Sequence, residues 1–153
     1  MKQTLKRIVP QPVWHFARDT YDAVRRLPEL PDAYLHPWRK ESIKRLAALK
    51  DIHKGRRAFI IGNGPSLKQT DLGKLKNEVT FAMNRFYLAF PELGFTTSYI
   101  CVTNDLVAEQ FADDLAALPI PKFIAWRSHR HFRQDMPIKN IPTFVYTSYT
   151  GPR

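Results

Sequence analysis

The sequence predicts an α/β fold: a Rossmann-like, mostly parallel sheet with flanking helices, preceded by a basic helical N-terminal extension. Three observations predict it. From Ala58 onward, short apolar runs alternate with helical stretches, the pattern of strands joined by crossovers. Polar residues with turn chemistry stand just past the ends of the first three runs. The net charge of +10 is lopsided, with 14 Lys/Arg against 6 Asp/Glu in residues 1–57 and 10 against 8 in the rest. The basic extension is therefore placed at 1–56 and the Rossmann-like domain at 57–153.

In the extension, Val13, Phe16, Ala17, Tyr21, Val24 and Leu27 recur at helical spacing, and Pro28 and Pro31 are expected to end that helix. A second helix is expected over Trp38–Lys50, with Ile43, Leu46, Ala47 and Leu49 inward. Asp51–Arg57 is a polar link. Ala58–Ile61 reads as a strand buried on both faces, followed by a turn at Gly62–Ser66. Ser66 or Thr70 can cap a short helix running to Leu75. Further strands are expected at Val79–Met83, Ser98–Thr103, Lys122–Trp126 and Thr143–Tyr146. Arg85–Phe90 reads as a helical turn and Asp105–Leu118 as the clearest helix, with Leu106, Val107, Phe111, Leu115 and Leu118 on one side. Arg127–Asn140 reads as a polar loop.

Composition excludes several classes. Apolar content of 44% and charged content of 25% fit a globular chain, not a disordered one. No apolar run approaches the roughly 20 residues that span a bilayer. Residues 1–12 lack the apolar stretch of a secretory signal. The single cysteine, Cys101, has no internal disulfide partner, which fits a cytoplasmic setting. The basic extension, with Trp14, Phe16, Tyr21 and Trp38, is read in two ways. It is a pair of solvated helices at the edge of the domain, or it rests on an anionic membrane through residues 1–56. Nucleic acid is not an expected partner, because the charge does not cluster with stacking aromatics.

In a parallel sheet, ligands sit at the carboxyl ends of the strands. Gly62, Asn63, Gly64 and Ser66, then Asn84, then Asn104 and Asp105 stand at three such ends. The glycines permit unusual backbone conformations and close ligand approach, and N–H groups at a turn before a helix favour phosphate. The amides of Asn84 and Asn104 suit a ribose hydroxyl or a base edge. Alternatively, the loop is a plain strand-to-helix turn and each Asn bonds its local backbone. The loop is neither the dinucleotide fingerprint nor a Walker A loop: Leu67 replaces the third glycine, and no Gly-Lys-Ser/Thr follows. His129 and His131 read as exposed loop residues, and no zinc-like spacing is present.

Phe59–Leu67, Asp71-Leu72, Leu75-Lys76, Phe81–Tyr87 and Ser98–Leu118 together resemble the MptE-like 6-hydroxymethylpterin diphosphokinase family. The loop and the Asn84 segment also resemble the bacterial CMP-sialic acid sialyltransferases. The second resemblance implies that Gly62, Asn63, Gly64, Ser66, Asn84 and Asn104 contact the CMP part of a nucleotide-sugar donor, in a transferase acting on an acceptor hydroxyl. The first implies diphosphate transfer from ATP with Mg²⁺, for which Asp105 is the candidate metal ligand. A third reading is a non-catalytic nucleotide-binding fragment. The sialyltransferases use a histidine base and tyrosines near the donor phosphate. Those roles do not map onto His129, His131, Tyr146 or Tyr149, so no catalytic residue is assigned. Relatives continue past Arg153, which makes this chain resemble the N-terminal part of a longer protein.

Overall fold

The computed structural model describes residues 11–145, so Tyr146 at the end of the last expected strand, and Tyr149, lie outside the described residues. The described residues fall into two compact units, one up to His36 and one from Pro37 onward. In the first, helix α1 spans Gln11–Arg26, a 3-10 turn follows at Leu27–Glu29, and α2 spans Leu30–Leu35. Helix α1 ends at Arg26, as expected just before Pro28, and the short α2 is an addition to the expected order. Pro31 lies in the first turn of α2, where a missing N–H costs nothing.

The second unit is an α/β Rossmann-like sheet. Helix α3 (Pro37–Ala48) precedes strands β1 (Ala58–Ile61), β2 (Val79–Met83), β3 (Tyr99–Val102), β4 (Lys122–Ala125) and β5 (Thr143–Val145). All neighbours are parallel, and the spatial order is β1-β2-β3-β4-β5. Right-handed crossovers that always step the same way lie on one face of the sheet. Burial agrees: Ala82, Ile100, Val102, Ile124 and Phe144, which share that face by register, are fully buried. On the opposite face Phe81, Tyr99 and Phe123 stack across three strands, and His53 bonds the Tyr99 hydroxyl at 2.8 Å.

Four expectations change. The boundary at 56/57 falls inside the second unit, because α3 packs on β5. Trp38 stacks on Phe144, with ring centroids 5.6 Å apart. Ser42 accepts the Phe144 N–H at 2.9 Å and donates to the Trp38 carbonyl at 2.7 Å. The inward face of α3 is therefore set by Trp38 and Ser42, while Ile43 and Ala47 are exposed. Strand β1 is not buried on both faces. It is an edge strand, and Ile60 is 80% exposed on the side without crossovers. The helix expected over Asp105–Leu118 is broken at Phe111 into α5 (Asp105–Gln110) and α6 (Ala112–Ala117), leaving Leu106 exposed. The Arg85 guanidinium lies 3.8 Å from the centre of the Phe111 ring, so the break seats that ring beneath a cation.

The stretch from Arg127 is not a loose polar loop. Trp126–His131 is a 3-10 helix with Trp126 and Ser128 buried, and Phe132 follows them inward. The crossover after β2 is a 3-10 turn, Phe86–Ala89, leading to the four-residue helix α4 (Phe90–Leu93). Gly94 closes α4 at φ 67°, a left-handed cap that favours glycine.

Candidate functional site

The parallel arrangement brings the carboxyl ends of β1, β2 and β3 to one edge in adjacent positions. The sequence-predicted residues meet there, but in unequal roles. Asn63 donates its side-chain N–H to the Met83 carbonyl at 3.1 Å, tying the loop after β1 to the end of β2. Asn84 extends the β2–β3 pairing through its own N–H, which donates to the Cys101 carbonyl at 2.8 Å. Its backbone is left-handed at φ 52°, a region where Asn is tolerated better than most residues. Its Oδ1 is buried and, among the described residues, is the one such side-chain atom without a hydrogen-bond partner. Asn104 caps α5, its Oδ1 accepting from the Leu106 N–H at 3.1 Å.

Gly62 and Gly64 are not held in conformations closed to other residues. Neither has positive φ, and Gly64 is extended at φ −78°. What they provide is room: a Cβ at Gly62 would meet nothing within 4 Å, and one at Gly64 would meet only the Ser66 hydroxyl at 3.6 Å. The helix expected behind the loop is a five-residue 3-10 turn, Pro65–Gln69, with no side-chain cap from Ser66. A second turn, Leu72–Leu75, is capped by Asp71, not Thr70. Turns this short add little aligned dipole, so the phosphate argument built on a helix N-terminus loses its footing here.

Three arginines stand near the same edge, each with a partner: Arg85 over the Phe111 ring, Arg127 on a backbone carbonyl and Arg130 on Asp105. Arg85 directly follows Asn84. Arg127 follows β4 and donates to the Thr103 carbonyl just past β3 at 2.9 Å. Arg130 lies one turn further on. Planar guanidinium groups suit phosphate oxygens at such an edge. In the sequence Arg127 and Arg130 lie in what reads as a polar loop, and the basic run just after a strand end is the one local signal of their position.

Asp105 does not fit Mg²⁺. One carboxylate oxygen accepts from Ser128 Oγ at 2.8 Å and faces His131 Nε2 at 3.1 Å, and the other accepts from Arg130 at 2.8 Å. Both oxygens are thus engaged, and the Arg130 guanidinium bound to one of them repels a metal ion. Among the described residues no group of three or more His, Cys, Asp or Glu is placed to hold one. Burial pushes the Asp105 carboxyl up, but the bonds from Ser128, Arg130 and His131 outweigh it and hold the group below its usual value. Asp105 acts as a tether between α5 and the Trp126–His131 turn. Neither His129 nor His131 is an exposed loop residue. His129 stacks on Trp126 at 4.1 Å, and His131 is largely covered.

A cleft of about 530 Å³ lies at the opposite end of the sheet, where Lys122 and Thr143 begin β4 and β5. Two of its three cations, Arg45 and Lys122, are already engaged, and Lys139 is the third. Arg45 bonds the Ile138 and Ile141 carbonyls, and Lys122 bonds those of Ala116 and Leu118. Burial, and then Arg45 nearby, push the Lys122 ammonium below its usual value. None of the sequence-predicted residues lines that cleft. Comparison with protein-family models, curated proteins and solved structures gives no match to this chain.

Proposed function

We propose that the carboxyl edge of the sheet binds a nucleotide, and that the protein serves a nucleotide-dependent transferase reaction, glycosyl transfer from a nucleotide-sugar donor. The observation that carries this reading is the partnerless, buried Oδ1 of Asn84. Native proteins rarely leave such an atom unsatisfied, and a bound donor is a standard reason for it. A ribose hydroxyl or a base amino group supplies that donor. Arg85, next in sequence, and Arg127, after β4, offer charge to phosphate at the same edge, and Gly62 leaves space beside the loop. In such a reaction a base takes the proton of the acceptor hydroxyl and the nucleotide phosphate leaves the sugar. The engagement of Asp105 disfavours the ATP–Mg²⁺ alternative.

Thermal unfolding with CMP, CDP and ATP, each with and without Mg²⁺, tests the reading. Ligand at a hundredfold excess over its Kd adds about 2.7 kcal/mol to stability, a shift of several degrees. Stabilisation by CMP or CDP without metal is expected. A shift with ATP and Mg²⁺ alone would overturn glycosyl transfer, and no shift with any nucleotide would overturn the site.

Asn84→Gly separates binding from folding. Glycine accepts the left-handed backbone and removes the unsatisfied carbonyl, so the free protein should melt no lower than the parent. Its nucleotide-induced shift should vanish. Asn63→Ala should weaken nucleotide binding by about tenfold, consistent with the loss of one hydrogen bond that positions the loop, and titration calorimetry measures it.

A further inference from the structure

Helix α1 carries an apolar face that the nucleotide site does not explain. Val13, Phe16, Ala17, Tyr21 and Val24 follow the i, i+3, i+4 pattern along it, and Leu27 continues the row in the next turn. At 100° per residue these positions share one arc of about 160° with Trp14 at its border. The arc is outward: Phe16 is 74% exposed, and Val13, Tyr21, Val24 and Leu27 are each more than half exposed. Outside the arc the sequence has arginine at positions 18, 25 and 26 and aspartate at 19 and 22, and Lys2, Lys6 and Arg7 precede the helix, so residues 1–26 carry six Lys/Arg against two Asp. Trp38, expected to share this surface, is buried against Phe144 and does not belong to it.

We propose that α1 is an interfacial helix that lies in the plane of an anionic lipid bilayer. Its apolar arc enters the boundary between headgroups and acyl chains, and the net positive charge of the segment draws it to the phosphates. The charge decides the occupant. An apolar arc bordered by Trp, in a segment (residues 1–26) with six Lys/Arg against two Asp, matches a negative lipid surface, where apolar burial and electrostatic attraction add. No helix among the described residues is long and apolar enough to cross a membrane, so the contact is peripheral at α1. The inference stands apart from the nucleotide reading, and neither depends on the other.

The test uses the full chain with two vesicle types, phosphatidylcholine alone and an equal mixture with phosphatidylglycerol. The chain should sediment with the mixed vesicles and not with the neutral ones. Trp38 and Trp126 are each 3% exposed, so a change in tryptophan emission on binding reports Trp14. A blue shift and protection of Trp14 from an aqueous quencher are expected, both absent in Trp14→Phe. Phe16→Glu with Val24→Glu should lower vesicle binding at least tenfold while the melting temperature stays put. If that variant misfolds, the Trp14 quenching in the parent chain decides the matter alone. Three results would overturn the proposal: no sedimentation with either vesicle; sedimentation with no change at Trp14, which is surface adsorption by charge; or self-association in solution without lipid binding, which assigns the helix face to a second copy of the chain.

Discussion

Phe144→Ala is expected to destabilise the sheet domain by about 3–5 kcal/mol, the usual cost of removing a fully buried aromatic ring. Phe144 is 0% exposed and is the centre of an aromatic cluster. Trp38 stacks on it at 5.6 Å and 4°, while Trp126 and Phe132 meet it edge-on at 5.9 and 5.5 Å. Its partners come from α3, from the 3-10 turn after β4 and from the segment beyond, so the cavity left by alanine cannot close by moving one side chain. Since whole domains are stable by only about 5–15 kcal/mol, this change removes a large share of the total. Urea unfolding followed by circular dichroism measures it. Phe144→Leu, which keeps much of the volume, should lose less. A loss below about 1 kcal/mol for alanine would show that the cluster is not closely packed.

Asp105→Ala should cost about 2–3 kcal/mol, because it removes the shared acceptor of three groups at once. Ser128 is fully buried and would be left with an unpaired hydroxyl. Arg130 and His131 would lose their fixed partner, and the Trp126–His131 turn its link to α5. The cost has a pH signature. The Asp105 carboxyl in the folded protein titrates below its unfolded value. Its stabilisation is therefore complete above the unfolded value of about 3.9 and disappears as pH falls through the lower folded one. The stability gap between parent and Asp105→Ala should be flat from neutral pH to about 4 and narrow at more acidic pH. Urea titrations across that range measure it. A gap unchanged in acid would mean that the charge on Asp105 contributes nothing.

The strands were legible because each is a short apolar run bounded by turn residues. β1 and β2 match their expected limits residue for residue, and β3 and β4 are shorter only at their ends. What stayed hidden was non-local. Nothing near Ser42 announces that its hydroxyl will cap a strand 102 residues away. Nothing near Phe111 announces that Arg85 will sit over its ring. Apolar periodicity alone therefore chose the wrong inward face for α3 and an unbroken helix after β3. The polar residues at the carboxyl edge were legible as a group, since strand ends are local signals. Their division of labour was not. Asn104 caps a helix, Asn63 braces a loop and Asn84 is left unsatisfied, and only the folded arrangement distinguishes three identical amides.

The strand order has a consequence for how this chain folds. Ala58 pairs with Val79, Phe81 with Tyr99, Ile100 with Lys122 and Phe123 with Thr143, so each strand is laid beside the one made just before it. Every pairing closes a short loop, which keeps its entropic cost low. The sheet can grow as the chain leaves the ribosome, one strand at a time and always at the same edge. The clasp between α3 and β5 is the exception. Trp38 and Ser42 are synthesised early yet must wait for Phe144. The β5 edge stays open to α3 until Phe144 arrives, and then α3 packs against it.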